Sequence, residues 1–446
     1  TLARATTETA PRITDGSRSE DVMVDGRVPA KVGTAQMASR VGLVFGDPDT
    51  QLFGMTVEED VAFGPANLGL GYESIMERVG KSIGDMRLAG LERRAPHRLS
   101  GGQKQATAIA GVYAMLPKIM VLDEPTSMLD PEGKARVFGI VRMLKEQLGV
   151  TVVLIEQEVD DILTLADRVF VMRSGKFVLS GTPREVFGRV EELRQAGVRV
   201  PQIVEFGTLI GAAETPFTIE EAISAIAPAS AEEAVSGVTS AFASVSEAAN
   251  PAAAPRASRA AQADPVVEAV DVEFTYPGGA RALDGVNLAV GCGDFVAIVG
   301  QNGAGKTTLT RHFNGLLRPS SGDIRVLGRS TQGVPTIELC RHVGYVFQNP
   351  DEQLFCTSVQ EELRFGPTNI GADPVVTSQR VEEILGDIGL TKYREVWPKY
   401  LTKGERQRLA LASVVAMDPD VLVVDEPTTG LDWVESLQIL DYLERL

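Results

Sequence analysis

GQNGAGKTT at 300–308 is the segment that most constrains the fold of the second half of this chain. The apolar run FVAIV at 295–299 precedes it and predicts a buried strand, and the residues after Lys306 predict a helix. Between them, glycines at 300, 303 and 305 allow backbone N–H groups to converge on phosphate oxygens. A glycine-rich turn without a ligand is the alternative, but this loop between a strand and a helix favours a P-loop.

Two side chains of the loop suit a nucleoside triphosphate with its metal ion. Lys306 offers a positive charge to the outer phosphates, and the Thr307 hydroxyl can ligate Mg²⁺. Asp425 follows the apolar run VLVV at 421–424, where a carboxylate also suits Mg²⁺, and Glu426 can orient or deprotonate the attacking water. A solvated acidic loop is the alternative, which the apolar run before the pair disfavours.

The first half of the chain predicts a second anion site at LSGGQKQ (99–105). Gly101 and Gly102 permit close backbone approach, and Ser100 offers a hydroxyl at a helix start. LSGGQ itself contains neither a lysine nor a metal ligand, so alone it would hold a phosphate poorly. It therefore predicts a lid that closes over the γ-phosphate on another P-loop.

One offset relates the two halves of the chain. VGLVFGDPDTQLFGMTVEEDVAFGPANLG (41–69) matches VGYVFQNPDEQLFCTSVQEELRFGPTNIG (343–371) at a distance of 302 residues. The same 302 residues separate LSGGQKQ from LTKGERQ and the DEP tripeptide at 123 from that at 425. A constant offset over separated motifs indicates two copies of one domain. We predict a first domain at 1–227, an Ala/Ser/Pro-rich linker at 228–264 and a second domain at 265–446.

Short apolar runs alternate with helical segments in both copies. IMVL (119–122), VVLI (152–155) and VLVV predict buried strands, and RVFVMRSGKFVLSG (168–181) predicts a hairpin that turns at Ser174–Gly175. The linker predicts a weak helix at AEEAVSGVTSAFASV, followed by a flexible tether. The alternation predicts an α/β fold with a mostly parallel sheet.

Composition narrows the possible functions. The net charge of −17 disfavours a nucleic-acid-binding protein, which needs clustered Lys and Arg. The three cysteines show no metal-ligand spacing and suit a reducing cytosol. No apolar run approaches the roughly 20 residues of a membrane span, so membrane-spanning partners would be separate chains.

The chain resembles the ATP-binding subunits of ABC transporters. The resemblance rests on the P-loop, Gln348 after VF, LSGGQ, DEP and the LD dipeptides. Within them, FQNPDEQLF and TVEEDVAFGP resemble the energy-coupling factor (ECF) ATPases, which include the cobalt and nickel import ATPases. The resemblance covers nearly the whole chain apart from the linker. It implies an α/β P-loop NTPase fold of the ABC type in two tandem copies, each with a RecA-like core sheet and a helical signature subdomain. It also implies ATP and Mg²⁺ as cofactors.

The resemblance further implies roles for matching positions. Tyr276 would stack on adenine, although packing is the usual role of a lone Tyr at a strand end, and Gln348 would contact Mg²⁺ and the water. Asp130 and Asp432 would be the D-loops that cross the dimer. The implied ATP-binding residues are Tyr276, Gly300, Asn302, Gly303, Ala304, Gly305, Lys306, Thr307 and Thr308; the catalytic residues Glu426 and Gln348; the metal ligands Thr307, Gln348 and Asp425; the signature residues Leu99, Ser100, Gly101, Gly102 and Gln103.

In this family two copies face head to tail, and each ATP lies between one P-loop and the opposite signature. ATP binding closes the copies, and hydrolysis reopens them. The implied partners are a transmembrane coupling subunit and a substrate-binding membrane subunit, with this protein peripheral at the cytoplasmic face of the cell membrane. Segments 47–53 and 349–355 would form the groove for the transmembrane subunit, with an ordinary packed helix start as the alternative. Vitamins, cobalt and nickel remain open as cargo.

The two sites are unequally equipped. The Lys306 site receives the intact LSGGQ, whereas the other site receives LTKGE (401–405), in which Lys403 replaces a glycine before Gly404 and Glu405 replaces a glutamine. That other site also has Gly46 at the Q-loop position and Gln157 where the switch histidine is expected, although Asp123 and Glu124 persist. Glutamine cannot carry a proton as histidine does. We predict one competent site and one that holds nucleotide but turns it over slowly.

Both ends of the sequence look incomplete. TLAR at 1–4 resembles TLTR at 308–311, so we expect the first copy to begin just past its P-loop and the second to stop after its D-loop, with impaired folding at both ends. Two other functions remain open. One is a soluble tandem ABC protein acting on ribosomes, which the Ala-rich linker and the acidic charge disfavour. The other is an idle ATP-binding regulatory module, which the intact Lys306, Asp425 and Glu426 disfavour.

Overall fold

The structure is a computed structural model that describes residues 23–32, 34–212, 214–226 and 264–446. The helix and tether predicted in the linker, and the repeat predicted at 1–4, lie outside these residues. The chain divides into two compact units, Thr1–Ala231 and Glu232–Leu446, which are described separately. The division falls within the linker predicted at 228–264, whose bounds stay a prediction.

A three-stranded parallel sheet forms the centre of the first unit. Its order is β1 (Val41–Val44), β2 (Ile119–Asp123) and β3 (Thr151–Ile155), with Val41 paired to Ile119 and Ile119 to Thr151. The middle of β2 is buried, as IMVL predicts, because β2 has a neighbour on each side. The prediction that VVLI is buried is wrong, since β3 ends the described sheet and is only partly covered.

A separate antiparallel hairpin follows, made of β4 (Val169–Arg173) and β5 (Lys176–Gly181). It turns at Ser174 (φ 49°) and Gly175 (φ 78°), as predicted. The helices of the first unit are α1 (Pro29–Val32), α2 (Thr34–Ala38), α3 (Val57–Asn67), α4 (Tyr72–Asp85), α5 (Gly101–Tyr113), α6 (Pro131–Glu146), α7 (Ile162–Leu165), α8 (Pro183–Phe187), α9 (Val190–Ala196), α10 (Gln202–Leu209) and α11 (Ile219–Ile226), with 3-10 turns at Pro48–Thr50 and Pro96–Arg98.

Three apolar clusters lie in the described part of the first unit, the smallest around Met37, Val41 and Val121. In the largest, side chains of α3, α5 and α6 pack onto the first two strands, including Val61, Ile109, Leu122 and Leu144. In the second largest, the hairpin packs against the short helices that follow it. The signature helix α5 is therefore fixed between the sheet and the neighbouring helices.

The described residues of the second unit form two sheets. β10 (Val343–Val346) and β11 (Val421–Val424) pair in parallel, and an antiparallel sheet has the order β7 (Arg281–Val290), β6 (Val267–Thr275), β8 (Ser321–Val326) and β9 (Arg329–Ser330). The helices are α12 (Lys306–Phe313), α13 (Thr336–Leu339), α14 (Val359–Asn369), α15 (Pro374–Asp387), α16 (Lys403–Val415) and α17 (Trp433–Arg445), with 3-10 turns at Pro350–Glu352, Thr391–Tyr393 and Pro398–Tyr400.

The elements from β1 to α6 of the first unit recur from β10 to α17 in the second, apart from β3, which lies outside that series. α14 and α16 follow α3 and α5 at the same 302 residues that separate the sequence motifs. The register repeats as well, since Val41 pairs with Ile119 in the first unit and Val343 with Val421 in the second. The constant offset in the sequence thus corresponds to a constant offset in the fold.

The prediction that FVAIV (295–299) forms a buried strand is wrong. These residues form no strand, and Phe295 and Val299 are 81% and 87% exposed. In the first unit β2 lies between two strands, whereas in the described part of the second unit β11 pairs with β10 alone. An apolar run becomes a buried strand only where neighbouring strands bond to its backbone and neighbouring elements shield its side chains from solvent.

Candidate nucleotide-binding site

The predicted P-loop leads directly into α12, which begins at Lys306. Gly305 has φ +92°, and a Cβ there would lie 2.5 Å from the carbonyl oxygen of Ala282, so both conformation and space require glycine. The Lys306 ammonium donates to the carbonyl oxygens of Gly300 (2.8 Å) and Gln301 (3.1 Å). The lysine therefore folds back over its own loop, where it can meet the outer phosphates of a nucleotide.

Thr307 and Asp425 meet although 118 residues separate them. The Thr307 hydroxyl donates to Asp425 Oδ1 at 3.0 Å, and the hydroxyl of Tyr345 donates to Asp425 Oδ2 at 2.9 Å. Both Asp425 and Tyr345 are buried. Burial and the neighbouring Asp425 raise the pKa of Tyr345 to about 12, so its hydroxyl stays protonated and can donate.

The predicted catalytic pair is also in contact. Gln348 Nε2 donates to Glu426 Oε2 at 2.8 Å, and the Thr429 hydroxyl donates to the same oxygen at 3.1 Å. Glu426 has φ 45°, an unusual conformation for a residue with a side chain. Such strain is typical of functional positions, where the surrounding structure over-determines the backbone.

Tyr276 lies beside the P-loop helix. Its hydroxyl is 3.0 Å from Thr308 Oγ1, and its ring packs edge-on against Phe274 with centroids 4.9 Å apart. The ring remains partly exposed. This position suits both roles considered for Tyr276, and its stacking on adenine stays a prediction.

The first-unit signature forms a fully capped helix start. Ser100 accepts from the N–H of Gln103, and the Gln103 side chain accepts from the N–H of Ser100 at 3.0 Å. A Cβ at Gly102 would lie 2.7 Å from Gly133 Cα, because α5 and α6 approach closely there. Gly101 has Leu129 as its nearest neighbour. The motif thus presents a glycine-rich helix N-terminus, as predicted from LSGGQ.

The second-unit signature differs in charge and in packing. Thr402 and Glu405 form the same capping box, so a carboxylate occupies the place of the Gln103 amide. The Lys403 ammonium lies against Gly430, and the Glu435 carboxyl lies against Gly404. Burial and the charge of Asp432 raise the pKa of Glu435. Glu435 takes the place that Gly133 has in the first unit, a difference that the sequence analysis missed.

Asp123 and Glu124 form the acidic pair of the first unit, and Asp425 and Glu426 that of the second. The two pairs have different partners. Gln157 Nε2 donates to Glu124 Oε1 at 2.9 Å, and Glu124 has φ 52°. At Gly46 a Cβ would lie 2.8 Å from the carbonyl oxygen of Glu124 and 3.0 Å from that of Asp123. The loop after Asp123 therefore packs where the second unit has the Gln348 side chain.

A half-buried carboxylate that sequence reasoning missed supports this loop. Glu156 accepts from the N–H of Thr126 at 3.1 Å and from the N–H of Gln157 at 3.2 Å. Burial raises its pKa. No signal in the sequence distinguishes Glu156 from the exposed Glu158 two residues later.

The predicted D-loop residues cap helices. Asp130 Oδ1 accepts from the N–H of Gly133 and Asp432 Oδ1 from the N–H of Glu435, both at 2.8 Å. These bonds fix the starts of α6 and α17. The predicted crossing of a dimer by the two residues stays a prediction.

Each unit exposes one aromatic pair after the Q-loop position. Phe53 packs edge-on against Phe63, and Phe355 against Phe365, with centroids 4.3 and 4.6 Å apart. Phe53 and Phe355 are 62% and 61% exposed. Their loops are rigid, because the buried carboxylate of Asp60 or Glu362 accepts two consecutive loop N–H groups.

The residues around Asp425 fit a magnesium ion held mainly by phosphate. Asp425 is a buried carboxylate bonded to the Thr307 hydroxyl, and oxygen donors of this kind are what Mg²⁺ prefers. Among the described residues, no group of three or more His, Cys, Asp or Glu side chains could hold a metal by itself. This pattern matches Mg²⁺, which typically takes one or two carboxylates together with substrate phosphates.

In the described ranges, every helix is too short or too polar to cross a bilayer.

Comparisons with known proteins identify the family. The ABC transporter family profile matches residues 1–127 and 283–429. A protein of Caldanaerobacter subterraneus subsp. tengcongensis, provisionally named an ABC transporter ATP-binding protein, is 38% identical over all of this chain and 77% of its own length. A protein of Methanosarcina mazei with the same provisional name is 38% identical over all of this chain and 75% of its own length.

Among solved structures, cbiO1 of Clostridium perfringens, described as part of the ABC transporter complex cbiONQ, is 34% identical over 41% of this chain and 74% of its own, with a TM-score of 0.38. That score is too low to support an inference. The family profile and the relatives carry the assignment, and they agree with the P-loop, the signature and the repeated α/β fold. The chain belongs to the ABC transporter family, as an ATP-binding protein with two ABC transporter regions.

Proposed function

We propose that this protein binds and hydrolyses ATP to energise a membrane importer of the ECF type, with one competent and one degenerate ATP site. The observation that carries the proposal is the contrast between the two acidic pairs. In the second unit Gln348 contacts Glu426 and Thr307 contacts Asp425. In the first unit Gln157 contacts Glu124, and Gly46 stands where a Q-loop glutamine would be.

At the competent site, each residue of the second unit has a separate role. Lys306 moves from its loop carbonyls to the outer phosphates, and the loop N–H groups hold the remaining phosphate oxygens. When bound, Mg²⁺ neutralises phosphate charge, and Thr307, Asp425 and Gln348 would hold it. Glu426, kept in place by Gln348 and Thr429, orients the attacking water.

The first-unit signature completes this site in the proposal. A helix N-terminus offers unpaired N–H groups and a partial positive charge to a phosphate. The capping box of Ser100 and Gln103 holds that terminus ready, and Gly101 and Gly102 keep it free of side chains. As a lid over the γ-phosphate on Lys306, it would supply donors that the P-loop lacks on that side.

The degenerate site would combine the first-unit acidic pair with the second-unit signature. There Lys403 replaces the glycine, and the carboxylates of Glu405 and Glu435 lie at the helix start. Two carboxylates oppose the approach of a phosphate. Gln157 bonds to Glu124 but cannot exchange a proton with it.

Docking to a membrane partner is supported by the exposed aromatic pairs. Exposed aromatic side chains on rigid loops are typical of binding surfaces. The pairs Phe53–Phe63 and Phe355–Phe365 occupy equivalent places in the two units, which suits two similar helices of a transmembrane coupling subunit. The motifs FQNPDEQLF and TVEEDVAFGP favour the ECF type, with a further substrate-binding membrane subunit and a peripheral position at the cytoplasmic face of the membrane.

Fractionation of the full-length protein tests this function. We expect it to sediment with membranes and to release phosphate from MgATP, and a double Phe53→Ala, Phe355→Ala variant to lose the membrane fraction while it still binds MgATP. Tyr72→Ala, which removes an exposed aromatic side chain outside these loops, is the control and should behave as the native protein. Recovery with ribosomes would favour the soluble tandem ABC protein that acts on ribosomes. Absence of phosphate release with intact ATP binding would favour the regulatory module.

A further inference from the structure

We propose that Tyr345 is a positioning residue that orients the Asp425 carboxylate for the metal ion of the Lys306 site. The inference rests on the proposed binding of MgATP there and assigns a role to a side chain outside the recognised motifs. It depends on a contact between two strands, not on either strand's own sequence.

The two carboxylate oxygens of Asp425 have one fixed partner each. Oδ2 accepts from the Tyr345 hydroxyl at 2.9 Å, and Oδ1 accepts from the Thr307 hydroxyl at 3.0 Å. A carboxylate can rotate about its last bond at little cost, because that torsion has a broad profile. Two hydrogen bonds from opposite sides fix the rotation, so Oδ1 stays beside Thr307, where the metal would bind.

Tyr345 is itself held by the P-loop helix. The Thr310 hydroxyl lies 3.3 Å from the Tyr345 oxygen, and Thr310 also donates to the carbonyl oxygen of Thr307 at 3.1 Å. The ring is buried and packs against Phe347, with centroids 5.1 Å apart. Tyr345 thus joins three segments: α12 after the P-loop, β10, which leads to Gln348, and the residue that follows β11, Asp425.

The first unit provides an internal comparison. Leu43 occupies the position equivalent to Tyr345, on a strand in the same register with its neighbour. Leucine has no hydroxyl to donate to Asp123, the equivalent carboxylate. Tyr345, which orients the Asp425 carboxylate, is therefore present in the unit that carries the P-loop. Leucine replaces it in the unit with Gly46 and Gln157.

Partners that orient a metal-binding carboxylate typically change metal affinity by roughly tenfold to a hundredfold when removed. The test is a Mg²⁺ titration of the full-length protein with ATP, read as nucleotide affinity and not as turnover. We expect Tyr345→Phe to raise the half-saturating Mg²⁺ concentration by roughly tenfold or more. The affinity for ATP in EDTA should stay within about twofold, because the Tyr345 hydroxyl bonds to Asp425 and Thr310 and acts through the metal-binding carboxylate.

Tyr442→Phe is the matched control, since Tyr442 is also a buried tyrosine of the second unit but lies on α17. It should leave the Mg²⁺ dependence unchanged. An unchanged Mg²⁺ dependence in Tyr345→Phe would overturn the inference, and so would an equal loss of affinity with and without Mg²⁺, which would make the hydroxyl merely structural. If the native protein binds no MgATP, the proposed function fails independently of Tyr345.

Discussion

The side-chain amide of Gln157 donates a hydrogen bond to the Glu124 carboxylate at 2.9 Å. In the second unit, an amide of the same kind reaches the equivalent Glu426 from Gln348, at 2.8 Å, but from the opposite direction along the chain. Gln348 precedes its glutamate by 78 residues, whereas Gln157 follows its glutamate by 33. The two glutamates therefore share a local sequence and a positive φ, yet different elements control them.

This difference predicts unequal effects of removing each carboxylate. Glu426→Gln should lower ATP turnover of the full-length protein by roughly a hundredfold or more, the usual contribution of a general base. Glu124→Gln should lower it by less than about twofold, because Glu124 would serve the degenerate site. Phosphate release at saturating MgATP measures both. Similar losses from the two substitutions would contradict the proposed asymmetry.

Nucleotide affinity should depend on Lys306. Lys306→Met removes a charge-assisted contact worth about 1.5–3 kcal/mol, which corresponds to a loss of roughly 10- to 150-fold in ATP affinity. Isothermal titration measures the change. Lys392→Met, which removes a lysine that lies over the Tyr393 ring, is the control and should bind ATP as the native protein does. Full affinity in Lys306→Met would place nucleotide binding elsewhere.

The contact between α5 and α6 should not tolerate a methyl group. Gly102→Ala places a Cβ 2.7 Å from Gly133 Cα, so the helices must separate, at a cost of about 1–3 kcal/mol in the free energy of unfolding. A lower melting temperature and a lower ATP turnover are expected together, because the same shift moves the signature.

Gly139→Ala is the control for that change. Gly139 is an exposed glycine of α6 with open space at its Cβ, so alanine should be neutral or should stabilise by up to about 1 kcal/mol. A Gly102→Ala protein that melts and turns over ATP like Gly139→Ala would show that the close approach of the helices is not needed.

The stability of the second unit should depend on the charge of Glu362. Burial raises the pKa of this carboxyl, so the folded state binds the proton more tightly than the unfolded chain, whose pKa is about 4.3. The ionised form therefore destabilises the folded state at neutral pH, and this cost disappears as the pH falls through the folded-state pKa towards 4.3. Glu362→Gln should raise the melting temperature at pH 7.5, with a difference that shrinks on acidification.

The control for the Glu362 prediction is the exposed Glu352. Glu352→Gln should change the melting temperature little at either pH. A lower melting temperature for Glu362→Gln at pH 7.5 would mean that the bonds from the N–H groups of Phe355 and Cys356 to a charged acceptor outweigh its burial.

Local residue patterns predicted the elements that depend on nearby residues, but not which strands and helices would be buried. The turn at Ser174–Gly175, the helix after Lys306 and the capped start at Ser100 form as predicted, because each depends on neighbours within a few residues. FVAIV failed because burial as a strand depends on partners elsewhere in the chain. Its apolar character is the same whether or not those partners are present.

Residue identity and spacing were enough to predict the family, the duplication and the inequality of the two signatures. The tertiary structure decided which side chains meet: Tyr345 with Asp425, Gln157 with Glu124, and Gly46 with the loop after Asp123. The physical reason is strand register. Tyr345 and Asp425 are 80 residues apart, and only the parallel pairing of Val343 with Val421 brings one hydroxyl to one carboxylate oxygen.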